Sequence, residues 1–288
     1  MNKLISANFA RLFKSGIFKL YMIFSGGLSL FMIIMHYIDS KNNLERYKEM
    51  NVPAEYFTMD SLVFIGLLYI LFAVPVLVGN FVGTEYSDGT IRNKLIVGHK
   101  RSSIYLANLI VCTAGVLMGV ILHILINCTI GKALCGMEIL TVQKILEITL
   151  FMAIAFISIT AFMIMLTMFV NSKAGASVAV LMLTVIMFVA TLTIEQKLRA
   201  PEYYDSWSYV DEDTGEIVEM PEEKNPNYLT GTKRKVYQTI YDVIPVSHMY
   251  ESAMENTKNA GKFAGYDGLV LVVTTALGII LFRKKDLK

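Results

Sequence analysis

The chain has 288 residues, 55% of them hydrophobic and 17% charged, with a formal net charge of +2. Soluble domains carry about 25% charged residues, so this chain is short of the surface charge that a soluble globular protein needs. The near-neutral balance says little alone and no nucleic-acid partner is expected; how the charges are distributed carries the information.

Residues 2–16 read as an amphipathic surface helix, with Ile5, Phe9, Leu12 and Phe13 within one arc and Lys3, Arg11 and Lys14 opposite. Uncharged runs then follow at 20–38, 61–84, 102–131, 148–172, 174–194 and 268–282. A helix needs about 20 mostly apolar residues to cross the hydrocarbon core. Five runs meet or nearly meet that length, and the sixth does so if it begins near Phe263 and tolerates Asp267 at the interface. None alternates as a barrel strand would. The first run is longer than a signal-peptide core and no small-residue cleavage site follows it. The expected fold class is therefore an all-α membrane protein with six transmembrane helices. Residues 39–60 read as an outer loop of mixed charge, and Pro75 and Gly79 should kink the second span. Residues 131–147 form a shorter outer turn.

Residues 195–262 are the one sizeable segment outside the spans. "YVDEDTGEIVEM" reads as a β-hairpin turning at Asp213-Thr214-Gly215. Asp211, Asp213 and Glu216 do not have calcium-loop spacing, because Gly215 falls one position early and no terminal Glu follows. Val236, Ile240 and Val243 share one face of a helix over 233–244, Pro245 breaks it, and "SHMYESAMEN" forms a second short helix. Both suit the outer membrane surface.

The short segments at 1–19, 85–101, Lys173 and 283–288 hold thirteen of the 26 basic residues but three of the 24 acidic ones. The positive-inside rule makes those segments cytoplasmic, with both termini, and places 195–262 outside.

Much chemistry is missing. No G-x-x-x-x-G-K-[ST] binds ATP, the four histidines lack metal-ligand spacing, and neither H-E-x-x-H nor G-x-S-x-G occurs. No catalytic or metal site is expected. The spans carry no charged residue, which argues against an ion-coupled carrier. His123 and Asn127, one turn apart, either line a polar path or hydrogen-bond between helices. Cys128 and Cys135 lie near the outer face, where a disulfide is open.

The polar island "FVGTEYSDGTIRNKLIVGHKRS" separates the second and third spans. Ser87, Asp88 and Thr90 can cap backbone donors, Gly89 allows a tight turn, and 91–97 can continue as a short helix. Ile91, Leu95 and Ile96 give it an apolar stripe with Arg92, Asn93 and Lys94 alongside. The island is either a solvated loop or a handle that another protein pushes.

"GTEYSDGTIRNKLIVGHKRSSIYLANLIV" resembles the signature of ABC-2 type transporter permeases, and "LGIILFRKKDLK" is similar to that family's C-terminus. The resemblance implies an exporter membrane subunit without its own ATP site. It would pair with a second permease, identical or related, and with two ATP-binding cassette subunits that bind ATP and Mg. It makes 2–16 the elbow helix, 85–101 the cytoplasmic coupling segment, and 233–256 the re-entrant helices. Glu85, Tyr86, Gly89, Thr90, Ile91, Arg92 and Leu95 are the expected coupling residues, with Ile91 and Leu95 at the centre of the ATPase contact. Helices two and five, through Gly79 and Gly175, are expected at the contact with the second permease, and membrane lipid surrounds the assembly. Expected substrates are drugs, antimicrobial peptides or lipid-linked molecules. The alternatives are a non-transporting sensor or scaffold using the outer segment as receptor, and an ATP-independent carrier.

Overall fold

The computed structural model describes residues 1–53, 58–60, 62–170, 172–210 and 217–285 as a helical bundle. In chain order these are α1 (Asn2–Lys14), α2 (Gly16–Glu49), α3 (Ile65–Leu71), α4 (Val74–Ser87), α5 (Thr90–Ile96) and α6 (Arg101–Ile126). A π-turn (Asn127–Gly131) leads into α7 (Lys132–Cys135), followed by α8 (Val142–Thr167) and α9 (Lys173–Arg199). Four short strands, α10 (Gly231–Val243), α11 (Pro245–Ala253) and α12 (Ala260–Lys284) complete the chain. Among the described residues six helices are long and apolar enough to cross a membrane: α2, the broken pair α3–α4, α6 with its continuation to Cys135, α8, α9 and α12. Half or more of the apolar window is buried in α3–α4, α6 and α8, against about a quarter in α2, α9 and α12. The first set is therefore the centre of the bundle, and the second presents Ile23, Phe31, Val178, Ile186 and Val272 outward, as helices bordering hydrocarbon do.

The first span outruns its expected 20–38. α2 continues as helix to Glu49, through most of what reads as a loop. Lys, Glu, Arg and Leu are strong helix formers, and Asp39 accepts hydrogen bonds from Asn43 Nδ2 (2.9 Å) and Tyr47 Oη (2.8 Å) one and two turns on. The helix stops where Asn51 takes a φ of 52° ahead of Pro53. Pro75 breaks the second span as expected. The helix lapses at Phe72–Ala73 and restarts with the proline in its first turn, where no N–H is missed. Gly79 plays a different part. A Cβ there would lie 2.5 Å from Ser177 Cα, so the glycine lets α4 and α9 of the same chain meet backbone to backbone. That corrects its assignment to a contact between two copies. Gly175 faces its own cap, Ser172.

The helix α1 and the last turn of α12 lie at one end of the bundle, both beside the start of α6. Arg101 Nη1 donates to the carbonyls of Phe282 (2.8 Å), Arg283 (3.2 Å) and Lys285. It thus satisfies the last carbonyls of α12, which have no intrahelical donor. Lys285 Nζ donates to the Met168 carbonyl (2.7 Å) and lies 4.2 Å from the Tyr86 ring centre. Burial lowers the Lys285 pKa to about 8.

At the far end, β1 (Tyr203–Tyr204) pairs with β4 (Glu223–Lys224), and β2 (Trp207–Val210) with β3 (Ile217–Met220), in antiparallel register Trp207↔Met220 to Val210↔Ile217. This is the expected hairpin. Its turn, with Asp211, Asp213, Thr214, Gly215 and Glu216, lies outside the described residues. Residues 233–243 fall in α10, with Ile244 as its C-cap, but the stripe Val236, Ile240 and Val243 faces out, about half exposed. Tyr237 and Tyr241, on another face, pack inward with Ile194 and Phe263. α11 is almost wholly buried against α8, α9 and α12. Asp60 pins the turn beside it, accepting from Thr58 Oγ1 (2.5 Å) and the amides of Glu138 (2.9 Å), Ile139 (3.2 Å) and Leu140 (2.7 Å). Burial alone would raise the Asp60 pKa. The hydrogen bonds from Thr58 and the three amides outweigh it and hold the carboxyl below the ordinary carboxylate range. Cys112, Cys128 and Cys135 are free thiols.

Candidate functional site

The polar island folds as the junction of four helices. α4 runs unbroken to Ser87, so Glu85 sits in its last turn, turned inward and fully buried. Gly89 then adopts φ 66°, ψ 9° and serves as the N-cap of α5. A Cβ there would meet nothing within 4 Å, so the need for glycine is conformational, about 1–2 kcal/mol for an L-residue in the left-handed region. Ser87, Asp88 and Thr90 do not cap. No side chain caps α5, and Ser87 Oγ donates instead to Thr84 O (3.1 Å) and Asp88 Oδ1 (3.1 Å). The left-handed Gly89 already turns the chain, so the cap is a backbone one. α5 begins at Thr90, one residue before the expected 91, and ends ahead of Gly98, whose φ is 92°.

A closed polar ring surrounds Glu85. Lys94 Nζ of α5 donates to Glu85 Oε1 and to Asn8 Oδ1 (3.0 Å). Asn8 Nδ2 of α1 donates to Asn108 Oδ1 of α6 (2.8 Å), and Asn108 Nδ2 returns to Glu85 Oε2 (2.7 Å). Arg11 Nη1 of α1 completes it at 2.8 Å from Glu85 Oε1, with its guanidinium 3.9 Å from the Phe81 ring centre. One carboxylate thus serves two cations. Glu85 is sealed, while Lys94 is 13% and Arg11 29% exposed. Burial outweighs the carboxylate's pull and lowers the Lys94 pKa. The ring fastens α1, α4, α5 and α6 to one another, because removing any member leaves a buried polar group without its partner.

The structure redistributes the expected coupling residues. Glu85, Tyr86 and Ile91 face the protein. Tyr86 Oη donates to Met168 O (2.6 Å), and Ile91 is 2% exposed in the main core. Leu95 is partly buried against the same core. Ile91 and Leu95 therefore do not form the centre of an outward contact, because these two members of the α5 stripe pack, fully and partly, against the chain itself. The outward face is Arg92, Asn93, Ile96 and Val97, the last two 75% and 76% exposed. Sequence reasoning also put Arg11 on the solvent side of α1. The buried face is Leu4, Asn8 and Leu12, and an Asn midway along that apolar row was the readable sign of a buried partner.

His123 and Asn127 are brought together and buried. His123 Nδ1 lies 2.6 Å from Ser29 Oγ of α2, its Nε2 faces the Val63 carbonyl at 3.1 Å, and Asn127 Nδ2 donates to His123 O at 2.9 Å. Both sit inside a polar seam between α2 and α6 that includes Ser25 Oγ to Gly119 O (2.7 Å) and Tyr21 Oη to Val116 O (2.9 Å). A further buried pair had no signal in spacing. His248 Nδ1 of α11 lies 3.0 Å from Asp267 Oδ2, and its Nε2 donates to the Asp242 carbonyl (2.9 Å). Asp267 is thus inside α12 and buried against α11. Among the described residues no group of three His, Cys, Asp or Glu side chains could hold a metal ion.

Fold and site together define an all-helical, multi-pass membrane protein whose inter-span segment is locked to the bundle by a buried ion-pair ring. Residues 17–210, about two thirds of the chain, match the family described as "Protein of unknown function (DUF2705)", and the chain belongs to that family. No curated protein matches it. The matched stretch includes Glu85, Lys94 and Asn108.

Proposed function

We propose that the chain is the permease subunit of an ATP-driven ABC-2 type exporter in the cell membrane. In this reading both termini and α5 are cytoplasmic, α1 is the elbow helix, α5 is the coupling helix, and 195–262 is extracellular. A second permease and two ATP-binding cassette subunits complete the transporter. The observation that carries the proposal is the two-sided build of α5. Its inner face is fixed to α1, α4 and α6 through Lys94 and Glu85. Its outer face offers Ile96 and Val97 bare beside Arg92. Two exposed aliphatic side chains with a charged rim are a small docking surface, and a helix locked on its other side passes a push to the spans rather than yielding to it. The strongly acidic 195–230 stretch favours a cationic amphipathic substrate such as an antimicrobial peptide.

The test is reconstitution with the partner ATPase. Mg-ATP hydrolysis coupled to export should require both chains, and Ile96→Asp/Val97→Asp should lose ATPase co-purification while the permease stays inserted. Full recovery of the ATPase with that variant would remove the docking face. A second reading, a non-transporting sensor, is favoured by the exposed Tyr203, Tyr204 and Trp207 of the far-end hairpin. It predicts ligand binding there with no ATP-dependent flux.

A further inference from the structure

A cleft of about 640 Å³ opens between α1, α2, α4 and α9, at the end of the bundle that carries α1. Arg11, Lys14 and Lys173 supply three cations to its wall and Asp88 one carboxylate. Neither Lys14 nor Lys173 makes an ion pair among the described residues. Arg11 spends Nη1 on Glu85, and its Nε and Nη2 are buried and have no hydrogen-bond partner among the described residues, so what it brings to the cleft wall is charge that a single carboxylate shares with Lys94. Ser15 and Gly16, at the start of α2, also border the cleft. Ser15 Oγ caps only the Phe18 amide (3.3 Å), so the Gly16 and Ile17 amides keep the unmet donors of a helix start.

Directly adjoining is an apolar trough of about 340 Å³, which shares Ile17 and Leu20 with the cleft and runs along Phe24, Phe72, Val76 and Leu77. The polar cleft lies at the end of the spans and the trough beside their apolar length. A cationic, donor-rich mouth leading into a hydrocarbon-lined groove has the polarity of one amphiphile: an anionic head and an acyl tail.

We propose that this cleft binds one anionic phospholipid of the surrounding membrane, its phosphate held by Arg11, Lys14 and Lys173 and an acyl chain lying in the Ile17–Leu20–Phe24 trough. The Arg11 charge and the two unpaired lysines select for a negative headgroup, and the trough selects for a lipid over a free anion. Because Arg11 also binds Glu85, the lipid phosphate would share a guanidinium with the ring that holds α5. The site rests on the chain's position in a membrane and not on the exporter reading.

The test uses the full chain with Phe24→Trp as reporter and Trp207→Phe to remove the native indole, in phosphatidylcholine vesicles without any ATPase. A minor fraction of the lipid is brominated phosphatidylglycerol or, in parallel, brominated phosphatidylcholine. Brominated phosphatidylglycerol should quench the reporter beyond its bulk share. Lys14→Gln and Lys173→Gln should each lower that selectivity about fivefold, with an unchanged melting temperature. Three results would overturn the proposal. Equal quenching by both lipids means no headgroup is selected, and no quenching by either means a second copy of the chain covers the trough. Loss of selectivity when inorganic phosphate replaces chloride at constant ionic strength means the cleft takes a free anion. Because no ATPase is present, none of these outcomes bears on export.

Discussion

Neutralising Glu85 is the sharpest way to ask whether the ring holds the bundle. In Glu85→Gln the shape stays, but Arg11 and Lys94, which both bind Oε1, lose their shared counter-charge. Two unit charges about 4 Å apart at an effective dielectric near 20 repel by about 4 kcal/mol. Breaking one member of a buried ion pair costs about 3–5 kcal/mol by comparison with other proteins. Arg11, the more exposed partner, can swing toward solvent, so the lower end of that range applies. For a chain of this size about 3 kcal/mol corresponds to a melting temperature lower by roughly 6–12 °C. Cys112 is fully buried in α6, so in a background lacking the partly exposed Cys128 and Cys135 a thiol-reactive dye reports its exposure on heating in detergent. Glu85→Gln/Lys94→Met removes one unpaired cation along with the carboxylate and should restore at least part of the loss. An unchanged melting temperature in Glu85→Gln, or a double variant no better than the single one, would refute the reasoning, because the ring would then be a surface feature without energetic coupling.

Three other outcomes follow from the structure. Gly89→Asn should keep more stability than Gly89→Val, since Asn tolerates the left-handed backbone and the site has room for a side chain; equal losses in melting temperature would point to packing instead. Asp60 has a folded pKa below that of the unfolded carboxyl, so its stabilisation is complete above about pH 4 and disappears as pH falls through the folded value; the acid-unfolding midpoint of Asp60→Asn should lose that dependence, and an identical acid limb in both proteins would contradict it. In a background lacking Cys128 and Cys135, an impermeant reagent applied outside intact cells should label Ser206→Cys and not Ser87→Cys; the reverse pattern would invert the proposed topology.

What could be read from the sequence follows from how far each force reaches along the chain. Six apolar runs must satisfy their backbones as helices wherever they sit, so hydropathy located every span. Their ends were less legible. The polar stretch after residue 38 stays helical through side chains such as Asp39, Asn43 and Tyr47 that bond along the helix itself, and composition reads such residues as loop. The orientation of α5 was misread for a tertiary reason. An Ile91–Leu95 stripe fits the protein's own core as well as it fits a partner, and only the position of α1 and α6 decides. Arg11 was placed by periodicity on the wrong side because its carboxylate lies 74 residues away in the chain. His248 and Asp267, on different helices, gave no pattern at all. Gly89 was legible, because a backbone requirement is local.

The last span arrives late to work already begun. As α12 is made, Arg101 has been waiting since the third span for the carbonyls of 282–285, and His248 for Asp267. Until then a guanidinium and an imidazole stand at the edges of an unfinished bundle without their final partners, and a polar group is costly to bury while its partner is missing. A chain halted after α11 should therefore be a substrate for membrane quality control, and supplying α12 as a separate peptide should rescue it. The contacts of α12 with Arg101 and His248 are thus ones that only a chain carrying α12 can close.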